Sequence, residues 1–155
     1  MRWLPVLSLC GGVIVAPAYA QQWRAVVEND QKPFTIMFLD QSTLAMDRGV
    51  ASGQVLTVME EDKAARRDWD YWIIGRRVDC KKAQVQITFS KFFRNEELIS
   101  EDKAESEWVP VRKGSMLESV TDVMCRRQDY LTPVVENPVA MARTYFEKAN
   151  EAKKP

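Results

Sequence analysis

The stretch "RRDWDYW", residues 66–72, holds the densest set of recognition side chains in this 155-residue chain, and Arg76 and Arg77 follow it closely. Arginine and tryptophan dominate protein-binding hot spots, because a guanidinium forks onto carboxylates and an indole buries a broad flat surface. The same mixture can stack on single-stranded nucleic acid. The bland alternative is a charged hairpin turn running into a strand whose aromatics pack inward. On that pattern Trp72 is expected to face the core. If instead the stretch binds a protein, Trp69, with Arg66 and Arg67, is the expected contact. Asp68 and Asp70 stand two apart and share one face of a strand. Nothing nearby supplies the pocket that would raise a carboxyl pKa for acid–base work.

Catalysis has little else to draw on. The chain contains no histidine, which removes the commonest general base and the commonest metal ligand. It has no glycine-rich phosphate loop and no G-x-S-x-G elbow. Serine–lysine chemistry is the arrangement that the sequence leaves open. Acidic runs at 60–62 and 96–107 lack the spacing of a calcium loop and read as solvated turns. The expectation is a non-enzymatic protein with no cofactor and no metal.

The first twenty residues differ from the rest. Arg2 is followed by an uncharged, mostly apolar run that ends in "AYA" at 18–20, a small-x-small cleavage pattern. This reads as a secretory signal peptide cleaved after Ala20. Pro5, Gly11, Gly12 and Pro17 interrupt the run, which is shorter than the roughly 20 apolar residues of a membrane span. Leu9, not a small residue, precedes Cys10, and the apolar run continues past it, which disfavours lipidation. Without the leader the chain keeps 21 basic and 22 acidic side chains, a net charge of −1. No global attraction to nucleic acid or anionic lipid follows from that balance. A protein partner is the expectation, with a homodimer as one form of it.

Export also decides what the cysteines do. The mature chain keeps Cys80 and Cys125, and two lone cysteines in an oxidising compartment are expected to form one disulfide. Their wide spacing and the missing histidine argue against a CxxC or zinc site. Closing a loop of that size stabilises the fold by about 4 kcal/mol in the chain-entropy model.

Both cysteines sit on readable elements. Ser115 and Glu118 form an S-x-x-E capping box, and Leu117, Val120 and Met124 form an apolar stripe, so 115–126 reads as an amphipathic helix ending near Cys125. "YWIIGRRVDC", 71–80, is rich in aromatic and β-branched residues, and "KK" at 81–82 reads as a turn. "AQVQITFS", 83–90, alternates, with Ala83, Val85, Ile87 and Phe89 on one face. Together they read as a hairpin onto which the disulfide pins the helix. Further strands are expected at 23–27, 34–40, 54–61, 91–93 and 97–102. "DRGVASG", 47–53, reads as a turn, and 40–47 as holding one helical turn. Asn137 and Pro138 read as the N-cap and first residue of a second helix at about 138–150. The sum is an α+β fold: an antiparallel sheet of about five to six strands, a helix disulfide-linked to one face, and a second terminal helix. The expected division is a leader at 1–20, a domain at 21–127 and a C-terminal extension at 128–155.

The order of these features resembles the surface-adhesin protein E family of Gram-negative bacteria. The resemblance rests on a strand led by Trp23, "FLDQSTL" at 38–44, a glycine-containing turn before "QVLTV", "RRVDC" at 76–80, "FSKFFRNEEL" at 89–98, "SEWVPV" at 106–111 and "GSMLESVTDVMC" at 114–125. It implies a small antiparallel sheet with a helix packed on it and joined to it by a disulfide. It also implies a surface protein, since some members bind host extracellular-matrix proteins. This chain departs from the pattern in lacking a lipidation box and in running on well past Cys125. The reading that follows is an exported, protein-binding envelope protein, periplasmic or at the cell surface. The alternative is a periplasmic sensor or inhibitor module that binds a small ligand or an enzyme.

Overall fold

The computed structural model describes residues 21–60 and 68–152. The expected leader, Arg66 and Arg67 lie outside them. Six strands form the main path of one antiparallel sheet, in the order β1 (Trp23–Asn29), β2 (Thr35–Asp40), β4 (Val50–Met59), β5 (Tyr71–Asp79), β6 (Gln84–Arg94) and β7 (Glu97–Asp102). Two short strands raise the total to eight, above the five or six expected: β3 (Ala45–Asp47) pairs with β4, and β8 (Val109–Pro110) pairs with β6. Neighbours in sequence are neighbours in space almost throughout, so short turns suffice.

Two local readings change. The segment 47–53 is a turn only at Arg48 and Gly49, which both take positive φ, at 47° and 85°. That pair closes a tight β3–β4 hairpin whose twist suits the flanking strands, and Val50 to Gly53 are already ladder residues opposite Arg76 to Asp79. The strands expected at 83–90 and 91–93 are one continuous β6. Its alternation breaks at a bulge: Arg76 pairs with Ile87, but Gly75 pairs with Phe89. One inserted residue inverts the facing of everything beyond it. Phe89 therefore lies on the opposite face from Val85 and Ile87.

Both faces of the sheet carry a core, which is why all six residues of β2 are buried. On one face α1 (Met116–Met124) packs Val120, Val123 and Met124 against Met37, Leu39, Ala51, Val55, Val78 and Val85. On the other face α2 (Pro138–Ala152) packs Ala142 and Phe146 against Phe34, Ile36, Phe38, Leu56, Val58 and Tyr71. Each fully buried aliphatic or aromatic side chain contributes roughly 1.5–3 kcal/mol.

The caps expected from sequence form. Ser115 accepts from the Glu118 N–H at 3.3 Å, and the Glu118 carboxylate reaches back to the Gly114 N–H at 2.6 Å. Asn137 caps α2 by accepting from the Ala140 N–H at 2.9 Å. Cys80 and Cys125 are joined, with their Cα atoms 5.7 Å apart. The helix α1 lies over β1 and β4 and reaches the β5–β6 hairpin through Val78, Val85 and this disulfide.

Candidate functional site

From opposite faces, the two helices cover the same half of the sheet, over β1, β2 and β4, and leave much of β5, β6 and β7 without a helix above it. On the α1 face one ladder row runs from the buried Thr57 of β4 through Trp72 and Phe92, in the uncovered part, to Ser100 of β7. Trp69, just before β5, folds back onto it. Its ring meets Trp72 edge-on at 4.7 Å and lies 5.5 Å from Phe92. All three rings are half-buried. Each such pair contributes about 0.5–1.5 kcal/mol beyond its buried area, so the cluster holds its shape without a covering helix.

Trp72 therefore does not face a helix-covered core, contrary to the sequence expectation. The inward place belongs to Tyr71, which pairs with Val58, is 8% exposed and stacks on Phe93 at 4.9 Å. Neighbouring residues on a strand point to opposite faces, so seating Tyr71 under α2 sends Trp72 to the other side. Phe92 is the member that sequence reasoning missed. Only the β5–β6 register, which sets Trp72 opposite Phe92, reveals it.

The charges around this cluster are engaged in structure. Asp70 accepts from the Asn95 N–H at 2.8 Å and from Arg143 at 3.3 Å. Asp68 meets Arg94 at 3.6 Å. Glu60 accepts from the Phe34 N–H at 3.2 Å and from Asn150 at 2.7 Å, so it ties β2 to α2. These carboxylates fix turns and helix position and do not converge on a reacting centre. Among the described residues no His, Cys, Asp or Glu cluster suited to a metal is present.

Arg76 and Arg77 separate. Arg77 lies over the Trp108 ring at 5.7 Å and donates to Gln86 at 3.3 Å. Arg76 points to the α1 face, where its buried Nε has no hydrogen-bond partner. Burial lowers its pKa to about 10. Just before them, Gly75 lies under the Phe89 ring, so closely that an added Cβ would collide with the ring and with the Thr88 hydroxyl. The basic–aromatic set read along the sequence is thus split between two faces.

A groove of about 610 Å³ opens at the C-terminal end of α1, lined by Gln41, Leu44, Arg126, Arg127, Asp129 and Tyr130 among others. Its walls also have structural work. Arg127 donates to the Cys80 carbonyl and pairs with Asp122 at 3.4 Å. Arg24 stacks on Tyr130 at 4.1 Å, and burial raises the Tyr130 pKa.

The two edges of the sheet differ. The outer side of β1 is closed by the segment that follows α1. Leu131 and Val135 donate to the Ala25 and Trp23 carbonyls at 2.8 Å each, and the Ala25 N–H donates to Thr132 at 2.9 Å. The six residues of β7 are all exposed, and β7 pairs only with β6 among the described residues.

Against known proteins, the model of the surface-adhesin protein E family matches residues 23–126. The match begins at the first residue of β1 and ends one residue past Cys125. No curated protein and no solved structure matches the chain significantly.

Proposed function

The chain belongs to the surface-adhesin protein E family, and from that premise we propose that it is an exported, non-enzymatic protein that binds another protein through the uncovered end of its sheet. The observation that carries this reading is the Trp69–Trp72–Phe92 cluster, held rigid on a part of the sheet that neither helix covers. Rigid aromatic surface of this kind lowers the ordering cost of binding and supplies the anchors of protein interfaces. Trp69 is the leading contact residue. Arg66 and Arg67, which precede it in sequence, are the further contact candidates.

Export through residues 1–20 fits the family and the disulfide, and no helix among the described residues is long and apolar enough to cross a membrane. The ligand is an envelope protein or a host surface protein, with the protein itself periplasmic or at the cell surface. The test is a pull-down of oxidised 21–155 against envelope extract and purified matrix proteins, with cell fractionation alongside. We expect a retained protein that is lost when Trp69 and Phe92 are changed to alanine. A purely periplasmic fraction together with no capture from matrix would overturn the adhesin role. Equal capture by the double variant would overturn the aromatic site.

The small-ligand alternative draws support from one feature, the groove beside Arg126 and Tyr130. It is open, and Arg127 is committed to the Cys80 carbonyl and Asp122, so that part of its wall serves the fold first.

A further inference from the structure

The protein-binding reading names a face but not the chemistry of the partner; the inference here rests on that reading and concerns β7. We propose that β7 is a docking edge that takes an extended, cationic segment of a partner protein as an additional antiparallel strand. An exposed edge strand presents unpaired backbone donors and acceptors and is the usual template for strand addition. Proteins normally close such edges. Here the β1 edge is closed by Leu131, Thr132 and Val135, while β7 pairs on one side only among the described residues, with a bulge at Ile99 between its two paired stretches.

Charge selects the occupant. Residues 95–107 carry six carboxylates and one cation, Lys103. Glu101 is already neutralised by Lys91 at 3.4 Å and Lys103 at 3.5 Å. Glu97 and Asp102, at the two ends of β7, have no ion pair among the described residues. A second copy of this chain is a poor fit. Two β7 strands paired about their centre set Glu97 against Asp102 at both ends and Leu98 against Glu101, and like charges directly opposite destabilise a ladder. A cationic strand reverses the sign of both end contacts.

The edge also continues the aromatic cluster. Ser100 is the last residue of the row that contains Trp72 and Phe92. Its small side chain leaves room beside Phe92 for an apolar residue of the incoming strand. The favoured segment therefore has an apolar residue near its middle and lysine or arginine toward both ends.

The probe is a short synthetic peptide alternating Lys and Val, with a Lys–Pro peptide of equal length and charge as control. Proline cannot donate to a ladder. Hydrogen exchange on oxidised 21–155 reads the 97–102 amides, and tryptophan fluorescence reads the aromatic face. The expected result is slowed exchange at 97–102 with Lys–Val only. In Glu97→Lys/Asp102→Lys the affinity should fall about tenfold or more, and a Glu–Val peptide should now bind. Equal binding of both cationic peptides, unchanged affinity in the charge-reversed protein, or concentration-dependent self-pairing through β7 would each overturn the proposal. A fluorescence change without protection at 97–102 overturns the edge while leaving the aromatic face as a binding site. Silence in both readouts overturns both.

Discussion

At the scale of single residues, the sheet is shaped by two neighbours that look unremarkable in sequence, Gly75 and Arg76. Gly75 is where the Phe89 ring closes over the strand, and no side chain fits there. Gly75→Ala must push that ring aside, and overpacking of this kind costs roughly 1–3 kcal/mol. A fall in the thermal midpoint is the expected outcome of a melting comparison with the wild type, and an unchanged midpoint would contradict it. Arg76 is the opposite case, a cation held in place without a partner for its buried Nε. Burial lowers its pKa to about 10, below the ordinary arginine value. The charged form is therefore the disfavoured one in the fold. Arg76 costs stability at neutral pH, and that cost is relieved only as the pH rises through about 10. Arg76→Met keeps an apolar stem and removes the charge, so it should leave stability unchanged or raise it by about 1 kcal/mol. Denaturant melts at pH 7 and pH 10 check this: any gain at pH 7 shrinks at pH 10, and a clear loss at pH 7 would contradict it.

At the scale of elements, the disulfide is the tie between α1 and the hairpin. It closes a loop across a sequence separation of 45 residues, and loop-closure entropy then contributes about 4 kcal/mol. Cys80→Ser/Cys125→Ser should lower the unfolding free energy by about that amount, as should reduction of the native protein, both measured by denaturant titration. Loss of much less than this would mean that helix packing alone fixes α1. This tie, both helices with their caps, and most strand cores were legible in the sequence, because capping residues, exported cysteines and period-two alternation are local signals. What could not be read there was parity across strands. The bulge that turns Phe89 over, and the pairing that turns Trp72 outward beside Phe92, depend on register between segments, which no local pattern encodes. Trp69 was legible as a contact candidate from its company of arginines. Phe92 was not, since "KFF" reads equally well as core.

At the scale of the whole molecule, two helices clamp one half of a sheet from opposite sides, and the other half is held by its own ladder and by aromatic contacts. The C-terminal residues take part in this division. They supply α2, which covers Phe34, Ile36 and Phe38, and they close the β1 edge. The fold thereby covers one half of its sheet with helices and leaves the other half without one. The most direct test compares the affinity of a captured partner for wild-type 21–155, for Trp69→Ala/Phe92→Ala, and for Lys148→Ala on the exposed side of α2, each confirmed folded by its melting curve. The account predicts a loss of at least about tenfold for the double variant, as befits removal of two hot-spot residues, with no change for Lys148→Ala. Equal affinities for all three would contradict it.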